Sequence, residues 1–156
     1  MSGTRNATVA RLIALLLPLA LLGGALGSQY IGGLHPCEMC YWQRWPHGAA
    51  IVLASLSFAT RNGTSRTLTL LAAVAIAVSG AIGVYHASVE AGVFEGLTTC
   101  TANGARTLNE ILSAPLVRCD QVQFSFLGIS MAGWNAILSL SGAALIVFLL
   151  LKDRRA

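Results

Sequence analysis

Apolar residues dominate four runs of this 156-residue chain, and short polar stretches separate them. The first run, Val9 to Tyr30, is broken only by Arg11. The second is shorter, Tyr41 to Ala59, with Arg44 and His47 toward its start. The third covers Leu68 to Val89 and the fourth Ile129 to Leu151. A helix rises ~1.5 Å per residue and a bilayer core is ~30 Å thick, so runs of about 20 residues predict membrane-crossing helices. In the second run, Arg44 and His47 sit where a long cationic side chain snorkels to the headgroups, beside an interfacial belt of Trp42 and Trp45. Gly23 and Gly27 have the small-xxx-small spacing that suits helix packing in lipid. The expectation is one all-α membrane domain over residues 1–156, a four-transmembrane-helix bundle with spans near 9–30, 41–59, 68–89 and 129–151.

Composition agrees with the pattern, since 55% of residues are hydrophobic and 10% charged, far from a soluble domain. Charge then sets orientation. Arg5, Arg11, Arg61, Arg66, Lys152, Arg154 and Arg155 fall on one face of a four-span topology, which leaves Arg44, Arg106 and Arg118 on the other. By the positive-inside rule the first face, with both termini, is cytoplasmic. The net charge of +4 therefore reports topology and gives no reason to expect a nucleic-acid partner. Arg5, Arg11 and the Leu-rich run before Ala25-Leu26-Gly27 also resemble a secretory signal. The run is longer than a usual signal core, and cleavage would leave the cysteines on the same outer side.

Four cysteines lie outside the apolar runs: Cys37 and Cys40 in a C-x-x-C after the first run, and Cys100 and Cys119 in the longest polar stretch. All four face the non-cytoplasmic side in this topology, where disulfides persist. Three pairings are open. In the nearest-neighbour pairing, a bond between Cys100 and Cys119 would close a loop worth ~3 kcal/mol of chain entropy, a plausible staple. A C-x-x-C ring has little such entropy to remove and is the usual form of an exchangeable pair. Tyr41 stands where covalent haem attachment needs His, and the second pair lacks zinc-knuckle spacing. His47 and His86 have the type and placement to ligate a haem between helices, although a helix-end histidine is more often interfacial. Arg44, one turn after Cys40, would favour a nearby thiolate or an anionic reduced acceptor, and Glu38 would oppose it. Thr107-Leu108-Asn109-Glu110 has capping-box spacing and predicts a short surface helix between Cys100 and Cys119.

Pro36-Cys37-Glu38-Met39-Cys40-Tyr41-Trp42-Gln43-Arg44, the stretch Gly83-Val84-Tyr85-His86 to Glu90, Cys119-Asp120, and Phe126-Leu127-Gly128-Ile129-Ser130-Met131-Ala132-Gly133-Trp134 together resemble the bacterial disulfide bond formation protein B family, DsbB. The resemblance implies an inner-membrane thiol oxidase with periplasmic cysteine loops. Such an enzyme reoxidises a periplasmic DsbA-like thioredoxin-fold protein and passes electrons to a membrane quinone, ubiquinone or menaquinone. It implies that Cys100 and Cys119 accept electrons, that Cys119 then exchanges with Cys37, and that Cys40, nearer Arg44, faces the quinone. Arg44, His86 and Glu90 become candidate quinone contacts, and no metal is expected. Phe124-Ser125 stands where the family often has Trp before Phe-Leu-Gly, and the loop between Cys100 and Cys119 is short. The rival from another class is a non-enzymatic four-span scaffold or transporter subunit with stapled loops. The span interiors lack the acidic residues that mark an ion path.

Overall fold

The computed structural model describes residues 2–96 and 117–153. Cys100, Arg106 and the capping-box segment Thr107 to Glu110 lie outside the described residues. Each apolar run is helical: α1 is Ser2–Tyr30, α2 Glu38–Ala59, α3 Asn62–Glu90 and α4 Met131–Asp153. Helix is what a backbone without water must adopt to satisfy its own N–H and C=O groups. The stretches Arg5–Tyr30, Gly63–Glu90 and Met131–Asp153 are long and apolar enough to cross a membrane, whereas α2 is diluted by Glu38, Gln43, Arg44 and His47.

The helices form a ring in which each packs on its two neighbours, α1 on α2, α2 on α3, α3 on α4 and α4 back on α1, while α1 and α3 touch little across the diagonal. Alanines fill the seams. Ala10, Ala14, Ala50, Ala54, Ala72, Ala73 and Ala143 are buried with Ile76, Ile146 and Leu150, and Leu, Val and Phe side chains point outward in numbers a water-facing surface would not carry. The closest approaches use glycine. A Cβ on Gly83 would lie 3.0 Å from the Ala132 carbonyl oxygen and 3.1 Å from the Ala136 nitrogen, and one on Gly142 would lie 2.2 Å from Leu17 Cδ2. Gly23 and Gly27, expected from their spacing to pack against a helix, do not: a Cβ at either would meet nothing within 4 Å among the described residues. The glycine face of that turn of α1 stands off from its neighbours.

At one end of the bundle Arg11 of α1 donates to the Ser57 carbonyl of α2 (3.2 Å) and to Ser65 Oγ of α3 (3.2 Å), with its guanidinium over the Phe58 ring. The cysteines lie at the opposite end. There a two-residue hairpin precedes α4, with β1 (Ser125–Phe126) antiparallel to β2 (Ile129–Ser130). Leu127 (φ 53°) and Gly128 (φ 78°) form its turn, the positive-φ pair that a two-residue hairpin requires. The fourth helix therefore starts at Met131 and not at Ile129. Ser130 ends the strand and its hydroxyl accepts from the Gly133 N–H (3.1 Å), a side-chain cap three residues into the helix. Trp134 Nε1 donates to the Phe126 carbonyl (3.0 Å) and holds the hairpin against α4.

Candidate functional site

Cys37 occupies the N-cap of α2 in extended conformation, and its sulfur accepts from the Cys40 backbone N–H (3.3 Å). The C-x-x-C spacing thus wraps the first helical turn around one sulfur. Cys37 Sγ and Cys40 Sγ are 2.9 Å apart, beyond the ~2.05 Å of a covalent bond, so the pair is a dithiol. The two share a proton unequally. The hydrogen bond to Cys40, then burial, then the negative charge that Cys40 carries push the Cys37 thiol up. The same bond from Cys37, with the backbone N–H at the helix start and the Arg44 charge behind it, holds Cys40 below the usual thiol range against the cost of its burial. Cys40 is the more acidic thiol of the pair.

Cys119 comes to this dithiol from the far side of the chain. Its sulfur, Cys37 Sγ and a ring nitrogen of His86 all lie within 4.8 Å of one another, and all three residues are buried. Such a trio has the ligand types of a soft-metal site as well as those of a thiol-exchange centre. Met39, Val89 and Val117 pack around the cysteines, with Tyr85 beside them. Next to Cys119, Arg118 and Asp120 form an exposed two-point ion pair, and that guanidinium holds the Asp120 carboxyl below its usual range.

A cavity of about 520 Å³ opens beside Cys37 and Cys40, between the standing-off turn of α1 and the start of α4. Its walls are mainly apolar, with Leu21, Leu22, Phe126 and Met131 among them. Arg44, His86 and Glu90, the residues that sequence alone put forward for a cofactor, all line it. Arg44 does not snorkel outward as its position predicted. Its guanidinium turns inward, donating to Gln29 Oε1 (2.5 Å) and the Ala25 carbonyl (3.2 Å) of α1 and stacking on Tyr41. Inside the wall these acceptors satisfy the charge that headgroups would otherwise meet. His47 is likewise no interfacial group. It is 3% exposed and bonded to Asn135 Oδ1 (2.9 Å) and Ser79 Oγ (3.0 Å). Trp45, by contrast, is 78% exposed, as an interfacial side chain should be.

Three residues escaped the sequence reading of the site: Gln43, Ser79 and Asn135. Gln43 bridges the Met39 carbonyl (3.1 Å), His86 Nδ1 (2.9 Å) and Asn135 Nδ2 (2.7 Å), so α2, α3 and α4 meet through polar atoms behind the cavity. Their one signal is polarity inside an apolar run, which in a membrane helix marks function or packing. Arg44 Nε, His47 Nδ1 and Glu90 Oε2 are buried with no hydrogen-bond partner among the described residues, and all three residues line the cavity. Unmet buried polar atoms around an apolar hollow are what a flat molecule with polar edges would satisfy.

An up-and-down bundle with a buried dithiol at one end, a third cysteine against it and an apolar hollow alongside defines a membrane protein of thiol–disulfide chemistry. The sequence model of the family described as "Disulfide bond formation protein DsbB" matches residues 7–149. The chain belongs to the DsbB family, whose members are four-span membrane proteins, and membership implies a role in disulfide bond formation. Among curated proteins it is similar to "Disulfide bond formation protein B" of Acidovorax sp. (strain JS42), 28% identical over 148 residues, covering 87% of this chain and 83% of that one. It is also similar to "Uncharacterized protein RP370" of Rickettsia prowazekii (strain Madrid E), 25% identical over 149 residues, covering 90% and 84%. No solved structure matches the chain.

Proposed function

We propose that this protein is a quinone-dependent thiol oxidase of the bacterial inner membrane, with its cysteines on the periplasmic side. It would reoxidise a DsbA-like thioredoxin-fold protein. One observation carries this reading: a third cysteine and a histidine within 4.8 Å of the C-x-x-C sulfur, at the edge of an apolar cavity. A structural staple needs no exchange partner at its sulfur, whereas a relay does. In the relay, the partner's thiolate attacks Cys100 of a Cys100–Cys119 disulfide and Cys119 leaves as a thiolate. Cys119 attacks Cys37 of the Cys37–Cys40 disulfide, and Cys40 leaves in turn. Its charge then rests at the helix start facing Arg44, in the arrangement that already favours the Cys40 thiolate. The partner's second thiol then attacks the partner sulfur bonded to Cys100, which releases the oxidised partner and frees Cys100 as a thiolate. Cys100 attacks Cys119 to restore the loop disulfide, which releases Cys37 and leaves two electrons on the Cys37–Cys40 dithiol.

Two disulfides store only two electron pairs, so sustained turnover requires an acceptor that departs reduced. A membrane quinone supplies that chemistry, taking two electrons and two protons. Arg44, His86 and Glu90 would hold its polar edge and the apolar walls its ring. The purified protein should oxidise a reduced thioredoxin-fold dithiol only when a soluble quinone is added, and Cys37→Ser or Cys40→Ser should abolish it. Normal turnover by either serine variant, or oxidation independent of quinone, refutes the proposal.

A further inference from the structure

The polar cluster behind the cavity contains two side-chain amides and two imidazoles, and backbone carbonyls decide how each is oriented. The Met39 carbonyl lies 3.1 Å from one end of the Gln43 amide and the Ser79 carbonyl 3.2 Å from one end of the Asn135 amide. A carbonyl only accepts, so both ends must be NH2 groups. With its nitrogen so placed, Asn135 gives its second hydrogen to Gln43 Oε1 (2.7 Å), which confirms the Gln43 orientation from the opposite side. Gln43 Nε2 has one hydrogen left, and it points at His86 Nδ1, 2.9 Å away. His86 Nδ1 must therefore be a bare acceptor.

The other face of the same ring gives the same answer. Nε2 is 3.5 Å from Cys37 Sγ and 3.7 Å from Glu90 Oε1, with Cys119 also beside the ring. Acceptors gather on the Nε2 side and a donor holds the Nδ1 side. The imidazolium, protonated at both nitrogens, would set an N–H against the Gln43 NH2. The groups facing His86 are Gln43 and Cys37 from the α2 side, with Cys40 2.9 Å beyond Cys37, Glu90 on its own helix, and Cys119 from the following loop. On α4, Asn135 reaches it only through Gln43.

We propose that Gln43 and Asn135 are positioning residues that lock His86 as the neutral tautomer protonated at Nε2. His86 then presents a fixed hydrogen-bond donor, and not a proton-exchanging group, to the sulfur of Cys37. The step it serves rests on the relay above. When Cys100 attacks Cys119, a Cys100–Cys119 bond forms, the Cys37–Cys119 bond breaks and the electron pair of the broken bond stays on Cys37. The N–H receives that charge without transferring its proton, because a neutral imidazole that gave one up would become an anion. The same lock bears on the Cys37, His86 and Cys119 trio as a metal site: the nitrogen facing the sulfurs carries hydrogen, so ligation would require both amides to turn over against the Met39 and Ser79 carbonyls.

The test uses full-length protein in detergent with nitrogen-15 histidine, reading both ring nitrogens by two-bond correlation spectra and assigning His86 by its loss in His86→Asn. The expected result is a bare Nδ1 and a protonated Nε2 that do not change between about pH 5 and 8, where a free histidine would titrate. In Gln43→Glu a carboxylate accepts at Nδ1, so His86 should titrate there. The pH profile of thiol exchange at Cys37 should then gain an ionisation that Gln43→Glu/His86→Asn lacks. His86→Asn alone should slow Cys37 release about tenfold, the effect of one hydrogen bond to a charged sulfur. A purely structural role for Gln43 would lower activity without adding that ionisation. Should Gln43→Glu not fold, Asn135→Leu frees the Gln43 amide to turn and should give a mixture of tautomers. A wild-type His86 that titrates in this range, or carries its proton on Nδ1, overturns the proposal. A failed relay with the tautomer as stated would instead refute the function and leave the lock standing.

Discussion

Gly83→Ala tests whether the α3–α4 contact positions the site. The added methyl would sit 3.0 Å from the Ala132 carbonyl oxygen, 3.1 Å from the Ala136 nitrogen and 3.1 Å from Asn135 Nδ2. Two of those atoms are backbone and cannot rotate away, so α4 must shift by a few tenths of an ångström. Overpacking of this kind costs ~1–3 kcal/mol. For a chain of this size each kcal/mol lowers the unfolding midpoint by about 2–4 °C, so the variant should melt several degrees lower. The same shift pulls at the 2.7 Å bond from Asn135 to Gln43, and exchange at Cys37 should suffer beyond what lost folded protein explains. Gly23→Ala is the control. Nothing lies within 4 Å of its new methyl, and exchanging helical Gly for Ala is worth ~0.5–1 kcal/mol in favour of the helix. Thermal unfolding in detergent, read by intrinsic fluorescence, measures both. Equal midpoints for Gly83→Ala and wild type would refute the close approach, and a destabilised Gly23→Ala would refute the standing-off of α1.

Arg44→Gln should raise the thiol pKa of Cys40 by removing a cation that supports its thiolate, so alkylation of the reduced protein at neutral pH should slow by about tenfold, while Cys40 still reacts ahead of Cys37. Mass spectrometry of iodoacetamide-treated Cys119→Ser protein reads both the rate and the order, and first modification at Cys37 would contradict the assignment of charge within the pair. Leu127→Gly should stabilise the fold by ~1 kcal/mol, because Leu127 holds a positive φ that costs an L-residue about that much and its side chain is exposed. A lower melting midpoint for Leu127→Gly would show that the leucine side chain makes a contact outweighing its backbone cost.

The helices were legible because each apolar run is long enough to dominate its own local pattern, and the C-x-x-C because its spacing is chemistry in itself. The hairpin was hidden: strands of two residues, Ser125–Phe126 and Ile129–Ser130, are too short to display an alternating period. Gly23 and Gly27 misled for a different reason. Spacing says that two glycines share a face, but only the tilt of α1 decides whether a helix lies against that face. The polar cluster was the least readable part. Gln43 finds His86 across 43 positions and Asn135 finds Gln43 across 92, so their partnership is set by how three helices cross and by no local motif. Arg44 was visible as a charge, yet its inward turn depended on Gln29 and the Ala25 carbonyl of another helix.

The two ends of the bundle are unequal in a way that bears on how a lipid-soluble molecule would enter. Arg11 knots three helices together at one end, whereas at the other the Gly23 and Gly27 positions of α1 touch no described side chain and Arg44 ties the turn between them to α2 through the Ala25 carbonyl. The slack in the packing therefore lies beside the thiols, where Gly24, Ala25 and Ser28 of the same stretch line the cavity. A guest arriving sideways from the bilayer would find its doorway already next to the sulfur it has to meet.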